Sequence, residues 1–376
     1  MIDCCRFVDA LADRGWTHAG GVPCSTFGGP IEHLTAEDRY RPAANEGLAF
    51  SEAAGAWLGG RRQAVFLQNS GFGNLLNPLT SLSQPYEIPI LTFVSMRGWP
   101  DPSADEPQHA VMGSTLESVL SGLGVWAEPL VEGDEGGVLD RAAEVVESGR
   151  PAFVLVPFRS IGAHPAESGD AADPAAGDGV RLPDTAAIAQ AVHRACGSAW
   201  TIFSTTGYAS RYLHAAGDRP ANFYMQGSMG HASSLALGYA AAQPDRPVVV
   251  LDGDGAALMH LGVFSTIGAG RRQNLLHIVI DNGGYESTGA QESTASTTDF
   301  VAIARACGYA SAWTVDSVTD LEYCLVRPFE GPGPRLIVVR AGPVTGGVPH
   351  RAGASLGLPE VAGRVRRLTE NVDVLA

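Results

Sequence analysis

Short apolar runs alternate with segments of helical periodicity along most of the chain. In the segments between the runs, apolar residues recur three or four positions apart, which is typical of helices that pack on a sheet. Alternating strands and helices build parallel sheets covered by helices. The predicted strands are 19–22, 41–43, 64–67, 90–93, 125–128 and 153–157 in the first half, and 201–204, 222–224, 248–251, 275–280, 311–314 and 335–339 in the second. The equal count predicts two similar six-stranded, mainly parallel α/β domains that arose by duplication.

The stretch 161–182 separates the two halves. It is rich in Ala, Gly, Asp and Pro and poor in apolar residues, which is typical of a linker. The predicted organisation is a first domain over 1–160, a linker over 161–183, a second domain over 184–342 and a C-terminal tail over 343–376. The tail begins with a Gly- and Pro-rich stretch and then predicts a helix around 359–370.

The second half contains the pattern with the clearest chemistry. The apolar run 248–251 ends in Gly253-Asp254-Gly255, and the run 275–280 ends in Asp281-Asn282-Gly283-Gly284. A continuous helical pattern lies between them. A strand–helix–strand unit of this kind places the carboxyl ends of both strands at one edge of a parallel sheet, where open α/β sheets bind ligands.

Asp254 and Asn282 are therefore predicted to lie close together. A carboxylate, an amide oxygen and nearby backbone carbonyls are hard ligands that suit Mg²⁺, which keeps phosphate oxygens among its ligands. The surrounding glycines let a phosphate approach the backbone, and the helix predicted from Ala256 offers free N–H groups. The alternative is a Gly-rich turn with a surface aspartate.

Composition limits the class of protein. The chain has 376 residues, of which 45% are hydrophobic and 17% charged, as expected of two ordinary globular domains. The net charge of −15 without a basic face argues against nucleic acid and anionic membranes as partners. No apolar run reaches transmembrane length, no signal pattern is evident, and the six cysteines show no CxxC or zinc spacing, so we expect a reduced, cytoplasmic protein.

The sequence contains no lysine, so all 25 basic residues other than histidine are arginines. That excludes a P-loop lysine and a lysine Schiff base, and with it pyridoxal-phosphate chemistry. A bound phosphate or phosphonate must then be held by arginine, histidine, metal or helix N-termini. No G-x-G-x-x-G follows a predicted strand, which argues against a nicotinamide dehydrogenase.

Gly253-Asp254-Gly255 with the later Asn-bearing turn resembles the diphosphate-binding motif of thiamine-diphosphate enzymes. The family usually has Asn-Asn where this chain has Asp281-Asn282, and only the second of the pair binds metal there. The resemblance implies thiamine diphosphate and Mg²⁺ as cofactors, with the metal held by Asp254, Asn282 and the Gly284 carbonyl. The cofactor-binding residues that it implies are Thr206, Gly207, Gly227, Ser228, Met229, Gly253, Asp254, Gly255, Ala256, Asn282, Gly284 and Tyr285.

Two of these assignments have plain structural alternatives. Thr206 and Gly207 follow a predicted strand and either cradle a phosphate or cap a helix. Met229 is either an ordinary core methionine or the bulky residue under the bend of the cofactor, which would hold its two rings close together.

The first half resembles the phosphonopyruvate decarboxylase family, with sulfopyruvate decarboxylase as its near relative. The motifs are Gly21-Val22-Pro23-Cys24-Ser25, Asn45-Glu46-Gly47, the stretch from Gln68 to Asn74, Arg97-Gly98 and the stretch from Asp105 to His109. The similarity covers about 2–158 and 184–342 and is weaker in the tail. It implies a pyrimidine-binding first domain, a diphosphate-binding second domain and no third domain between them.

Glu46 by itself would be read as an acidic residue that favours a helix start. The resemblance instead makes it the carboxyl group that hydrogen-bonds the aminopyrimidine ring of the cofactor, a role that requires burial. The same resemblance predicts that Arg97 and His109 take part in catalysis. It also predicts that these two residues contact the substrate, as do Ser25 and Asn69. The alternative for His109 is a solvated loop histidine.

Assignments of four further residues complete the sequence interpretation. Asp105 and Glu106 are predicted to shape their loop rather than to react, and His231 and His260 are predicted to be structural.

The implied function is the non-oxidative decarboxylation of 3-phosphonopyruvate to phosphonoacetaldehyde and CO₂ in phosphonate biosynthesis. Two alternatives keep the cofactor but change the acid to sulfopyruvate or phosphinopyruvate. A cofactor-binding subunit without turnover and a carboligase are further alternatives. The expected partners are the small 2-oxo acid and further copies of the chain, in a dimer or higher assembly with its sites at the subunit interface.

Overall fold

A computed structural model describes residues 1–58, 60–164, 182–326 and 331–370. The chain divides into two compact units. The first contains the described residues up to His164 together with Thr288–Glu292, and the second contains the other described residues from Leu182 onward. Most of the predicted linker, residues 165–181, lies outside the described residues.

The first unit is built on a six-stranded parallel sheet. Its strands are β1 His18–Gly21, β2 Tyr40–Pro42, β3 Gln63–Gln68, β4 Leu91–Met96, β5 Trp126–Pro129 and β6 Ala152–Pro157. Their order across the sheet is β2-β1-β3-β4-β6-β5. The α-helices of this unit are α1 Cys4–Ala12, α2 Gly28–Ala36, α3 Glu46–Leu58, α4 Phe72–Pro78, α5 Ala110–Gly122 and α6 Glu135–Glu147.

Side-chain alternation along the central strands explains why helices cover both faces of this sheet. On β3, Phe66 belongs to one apolar cluster, while Val65 and Leu67 belong to another. Successive side chains of a strand point to opposite faces, so a strand with apolar residues throughout needs a partner layer on each side. Phe66 also packs edge-on against Phe93 of β4, with ring centroids 5.7 Å apart. Each such buried side chain stabilises the fold by about 1.5–3 kcal/mol.

The second unit repeats the arrangement. Its strands are β7 Thr201–Ser204, β8 Asn222–Tyr224, β9 Val248–Gly253, β10 Leu275–Asp281, β11 Gly284–Tyr285, β13 Ser311–Val315 and β14 Arg335–Arg340, and the short β12 Gln291–Glu292 lies in the segment grouped with the first unit. The main sheet has the order β8-β7-β9-β10-β14-β13. Numbered within each unit, both sheets therefore read 2-1-3-4-6-5, as a duplicated domain would.

The α-helices of the second unit are α7 Thr185–Ala195, α8 Tyr208–Ala216, α9 Ala232–Ala242, α10 Asp254–Met259, α11 Val263–Gly270, α12 Phe300–Ala306, α13 Val318–Val326 and α14 Leu358–Glu370. The last of these is the helix predicted in the tail. No described helix is both long and apolar enough to cross a membrane.

The fold prediction is confirmed, since each main-sheet strand lies within three residues of its predicted position. One helix differs from the prediction. The continuous helix expected after Asp254 is broken into α10 and α11, because the backbone of His260 leaves the helical region. All of α10 is buried, so its pattern is that of a short enclosed helix rather than of an amphipathic surface helix.

Candidate active site

In the second unit, strand register brings Asp254 and Asn282 to one edge. Gly253 of β9 pairs with Ile280 of β10 in the parallel ladder. Asp254 is the next residue after Gly253, and Asn282 follows β10 directly. Both side chains therefore leave the same edge of the sheet, as the sequence predicted.

Asp254 is a buried carboxyl group without a positive partner among the described residues. It is 3% exposed, and its Oδ2 accepts a 2.6 Å hydrogen bond from Oγ of Ser293. Burial, with a further contribution from the charge of Asp281, raises the pKa of Asp254 to about 6 against the opposing effect of the hydrogen bonds. Arg340 partly offsets the charge of Asp281, whereas no described cation offsets that of Asp254, so a divalent ion bound at Asp254 would lower the electrostatic cost of this buried carboxylate.

Glu286 holds the amide of Asn282. Nδ2 of Asn282 donates to Oε2 of Glu286 at 3.0 Å, and Oδ1 accepts from the Gly284 N–H at 3.2 Å. Oε1 of Glu286 in turn accepts a 2.6 Å bond from the N–H of Val344. Because the carboxylate can only accept, it fixes the amide nitrogen on its side and leaves the amide oxygen for other partners. The tail that begins after residue 342 thus supports the predicted metal ligand.

The loops after β7 and β8 are joined to each other. The hydroxyl of Thr206 donates to the carbonyl of Gln226 at 2.9 Å. Gly207 lies at the N-cap position of α8 with φ 89°, and no side chain caps that helix. Ser228 lies in the left-handed region with φ 51°. The Thr206 hydrogen bond therefore joins the predicted phosphate loop to the backbone immediately before the Gly227-Ser228-Met229 turn. Met229 is partly buried rather than fully enclosed in the core.

The remaining predicted cofactor residues surround the start of α10. Gly253 ends β9, and Gly255 and Ala256 lie in the buried first turn of the helix. A Cβ on Gly255 would lie 2.5 Å from the ring of Tyr285, so these two residues are in direct contact. The hard oxygen donors of Asp254, Asn282 and the Gly284 carbonyl, with small residues beside them, fit a diphosphate bound through Mg²⁺.

In the first unit, Glu46 is buried at the start of α3. It is 4% exposed, although acidic groups at helix starts are normally solvated. Oε2 accepts a 2.7 Å bond from Nδ2 of Asn74. Burial raises the pKa of Glu46 above its ordinary value, and the bond from Asn74 only partly opposes it. A helix-start role does not explain this burial, whereas a carboxyl group that hydrogen-bonds a heterocycle requires it.

Two glycines allow the helices to close around Glu46. A Cβ on Gly71 would lie 1.9 Å from Oε1 of Glu46, and a Cβ on Gly47 would lie 2.5 Å from the carbonyl oxygen of Asn74. No larger residue fits at either place without moving α4 or the carboxyl group. The glycines of both sequence motifs are thus explained by the position of one carboxyl group.

Arg97 is clamped by an acidic neighbour. Its Nε and Nη2 donate to the two carboxylate oxygens of Asp105 at 2.7 and 2.6 Å, and its guanidinium lies 4.3 Å from the centroid of the Phe158 ring. Asp105 also accepts from the Gly98 N–H at 2.8 Å. The predicted loop-shaping role of Asp105 agrees with these bonds. Nη1 of Arg97 has no hydrogen-bond partner in the described parts of the chain.

Asn69 acts on the backbone of the same arginine. It is fully buried, its Nδ2 donates to the Arg97 carbonyl at 2.7 Å, and its Oδ1 accepts from the Arg97 N–H at 3.3 Å. These bonds make Asn69 a positioning residue. The direct substrate contact expected for it stays a prediction, and it would require this pair of bonds to open.

His109 is not the solvated loop histidine of the alternative interpretation. It is 7% exposed, and burial, reinforced by the charge of Arg97, lowers its pKa to about 4. At neutral pH it is therefore an uncharged hydrogen-bonding group. Ser25, by contrast, is exposed after β1, and the neighbouring Thr26 hydroxyl is bonded to Ser95 at 2.6 Å.

Sequence reasoning missed three residues. Asn74 donates a hydrogen bond to Glu46, and Ser293 donates one to Asp254. Glu286 accepts a hydrogen bond from Asn282. Asn74 is 28 positions from its partner and Ser293 is 39, so no local periodicity points to them. Glu286 lies four positions after Asn282, but its irregular loop carries no spacing rule that would indicate the contact.

Comparison with known proteins adds the family. Residues 204–339 match the family described as thiamine pyrophosphate enzyme, C-terminal TPP binding domain. The chain is 36% identical over 362 residues to a phosphonopyruvate decarboxylase of Streptomyces viridochromogenes, covering 92% of this chain and 90% of that protein. A phosphonopyruvate decarboxylase of Streptomyces hygroscopicus is 36% identical over 377 residues, covering 96% and 91%.

A more distant relative is a sulfopyruvate decarboxylase of Methanosarcina acetivorans. It is 28% identical over 336 residues, covering 83% of this chain and 84% of that protein. The identities with the two Streptomyces proteins extend over nearly the whole of both chains. The chain therefore belongs to the phosphonopyruvate decarboxylase family of thiamine-diphosphate enzymes.

Proposed function

We propose that this protein is a thiamine-diphosphate- and Mg²⁺-dependent decarboxylase that converts 3-phosphonopyruvate to phosphonoacetaldehyde and CO₂, a reaction of phosphonate biosynthesis. The observation that carries the proposal is the buried Glu46 carboxyl group with its raised pKa, in a chain whose full-length relatives are phosphonopyruvate decarboxylases. A cofactor-binding subunit without turnover would have no physical need to bury this carboxyl group, since burial costs free energy.

The chemistry divides between the cofactor and the chain. When bound, thiamine diphosphate supplies the carbon nucleophile and accepts the electron pair that the departing CO₂ leaves behind. Glu46 contributes a hydrogen bond to a ring nitrogen and holds a proton there, because its buried carboxyl group stays protonated to a higher pH than an exposed one. The bond from Asn74 fixes the direction in which the carboxyl group points.

The metal-side residues act through charge and orientation. Asp254 would supply the one anionic ligand, and Asn282 and the Gly284 carbonyl would supply neutral oxygens. Glu286 keeps the amide oxygen of Asn282 available, since it occupies the amide nitrogen. Together these residues would hold the diphosphate and exclude water from its negative charge.

The acid's phosphonate tail needs donors, and the chain has no lysine to supply them. We propose that Nη1 of Arg97, neutral His109 and the exposed Ser25 hydroxyl contact the phosphonate. Asp105 binds the other edge of the guanidinium, so it sets the direction of the free edge while reducing the net positive charge. The orientation of these donors, more than their net charge, would then favour phosphonopyruvate over pyruvate.

Arg97→Gln is expected to lower kcat/KM for phosphonopyruvate by about ten- to a hundredfold, because one charge-assisted hydrogen bond is worth roughly 1.5–3 kcal/mol. Any turnover of pyruvate should change little, since pyruvate lacks the group that makes the contact. Arg159→Gln is the matched control, because Arg159 lies over the same Phe158 ring at 4.9 Å but is exposed. CO₂ and aldehyde formation, followed by NMR, report each rate.

Two outcomes would contradict these assignments. Equal losses on both acids would mean that Arg97 supports the fold or the cofactor instead of the substrate. Faster turnover of sulfopyruvate than of phosphonopyruvate by the unchanged protein would overturn the substrate assignment and leave the cofactor chemistry intact.

The predicted cytoplasmic location stays a prediction.

We also propose self-association, in which the first domain of one subunit and the second domain of another serve one cofactor, as the family resemblance implies. Mixing inactive Glu46→Gln and Asp254→Ala chains under conditions that exchange subunits should then restore activity. A dimer with two sites would recover about one quarter of the unchanged activity, since half of the dimers are mixed and each has one intact site. No recovery despite proven exchange would show that each chain builds its own site.

A further inference from the structure

A thiol and two imidazole rings meet on the first unit. Their carriers are Cys5 on α1, His33 on α2 and His164 after β6, none of which belongs to the predicted active site. One potential ligand atom from each lies within 4.8 Å of the other two. We propose that these three side chains form a binding site for Zn²⁺, in which they are three ligands of a tetrahedron and water is the fourth.

The spacing of the three atoms fits this ion. In a tetrahedral site with metal–ligand distances of about 2.0–2.3 Å, the ligand atoms lie roughly 3.5 Å apart. The present separations are at most 4.8 Å, so rotations of the side chains that move each atom by on the order of 1 Å close the site. All three side chains are partly buried, so each stays partly accessible to solvent.

Backbone bonds hold the segment that carries His164 against the start of the chain. The Ile2 N–H donates to the Ser160 carbonyl at 2.7 Å, and the Gly162 N–H donates to the Ile2 carbonyl at 2.9 Å. The side chain of Asp3 then caps α1 by accepting from the Arg6 N–H at 2.9 Å. Cys5, in the first turn of this helix, is thereby fixed in relation to the residues around His164.

A glycine brings α2 to the same place. A Cβ on Gly29 would lie 2.3 Å from the Gly162 carbonyl oxygen and 2.8 Å from the backbone nitrogen of His164, so only glycine permits this approach. His33 lies four residues further along α2 and therefore on the same face of the helix. Three segments far apart in sequence are thus fixed around one point before any ion binds.

The ring of His33 has a nitrogen available for a ligand bond. Its Nδ1 is buried and has no hydrogen-bond partner among the described residues, while its Nε2 lies 3.8 Å from Oε1 of Glu37. A carboxylate near the second ring nitrogen is the usual companion of a metal-binding histidine, because it fixes the tautomer. The ring of His164 meets that of His33 nearly edge to face, with centroids 5.0 Å apart.

The donor set selects the ion. Sulfur with two imidazole nitrogens suits Zn²⁺ and is unsuited to Mg²⁺, which requires oxygen ligands. The other such group in the described part of the chain, formed by Asp105, Glu106 and His109, contains no sulfur, and its Asp105 already forms an ion pair with Arg97. Bound zinc would join α1, α2 and the chain that leaves β6, and would stabilise the first unit without taking part in the reaction.

Cobalt titration of the protein saturated with thiamine diphosphate and Mg²⁺ tests the proposal. The unchanged protein should bind one equivalent of Co²⁺ with a thiolate-to-cobalt charge-transfer band, and Zn²⁺ should displace it. Cys5→Ser should abolish the band and weaken Zn²⁺ binding by at least about a hundredfold. Cys307→Ser is the matched control, because Cys307 is also a free, partly buried cysteine, and it should leave the band unchanged.

Thermal unfolding supplies a second readout that is independent of activity. Zn²⁺ should raise the Tm of the unchanged protein, and the rise should be lost in Cys5→Ser and in His164→Ala, each of which should match the unchanged protein when no zinc is present. A chain that shows no charge-transfer band, or the same band after Cys5→Ser, would overturn the proposal. Oxygen-ligated Co²⁺ at Asp254 and Asn282 gives no such band, so failure here is separate from failure of the proposed function.

Discussion

Glu46→Gln is expected to reduce kcat by at least about a hundredfold while cofactor affinity stays nearly unchanged. A factor of this size corresponds to about 2.7 kcal/mol of lost transition-state stabilisation. Glutamine has the same shape and can still accept the bond from Asn74, so packing around Gly71 is preserved. What it cannot do is hold and return a proton, which is the role proposed for the carboxyl group.

Two measurements and a control variant separate this role from a structural one. Calorimetry should show unchanged binding of thiamine diphosphate with Mg²⁺, and hydrogen–deuterium exchange at C2 of the bound cofactor should slow as kcat falls. Glu52→Gln, an exposed change on the same helix, is the control that should leave both rates unchanged. Exchange at the original rate in Glu46→Gln would contradict the assignment.

The stability of Glu46→Gln has a definite sign. Burial raises the pKa of Glu46 in the folded protein, so above the ordinary pKa the unfolded chain loses this proton more readily than the folded one. Ionisation therefore costs folding free energy as pH rises, and glutamine removes that cost. We expect a Tm at pH 7 that is equal to or higher than that of the unchanged protein, so lost activity would not reflect lost structure.

Asp254→Ala is expected to weaken Mg²⁺-dependent binding of thiamine diphosphate by more than about a hundredfold. The change removes the only charged ligand proposed for the metal, and breaking a buried ionic contact costs about 3–5 kcal/mol. The Ser293 hydroxyl would also lose its acceptor. Calorimetric titration of the cofactor at fixed Mg²⁺, and of Mg²⁺ at fixed cofactor, measures the loss directly.

Asp281→Ala is the matched control for this prediction. Asp281 is a neighbouring carboxylate whose pKa is also raised by burial, but the family resemblance gives it no ligand role. Both variants remove one carboxyl group from the same edge of the sheet, so a loss of affinity that is much larger in Asp254→Ala than in Asp281→Ala indicates a direct ligand role for Asp254. Equal affinity losses would mean that charge alone, and not ligation by Asp254, attracts the metal.

The sequence alone determined the architecture and one half of the site. Twelve main-sheet strands follow from apolar runs of strand length, because a parallel strand buried on both faces must be apolar throughout. The meeting of Asp254 with the Asn282 turn follows as well, since adjacent parallel strands end at one edge. Each strand is encoded by a short run of neighbouring residues, and the parallel pairing of β9 with β10 places the ends of the two strands together.

Only the tertiary structure decided the state of the individual groups. The carboxyl of Glu46 is a buried acid rather than a helix-start charge because α4 closes over it. His109 is neutral because it is enclosed beside Arg97, and Arg97 is oriented because Asp105 occupies one edge of it. Burial and pairing depend on which distant segments pack together, and periodicity along the chain does not specify that.

The cluster of Cys5, His33 and His164 shows the same limit. Zinc motifs are recognised in sequences by short spacings between ligands, and here the three ligands come from two helices and a loop that follow one another at long intervals. Their meeting is set by the close approach at Gly29 and by the backbone bonds of Ile2. The sequence determined which side chains are present, and packing over long sequence separations determined which of them act together.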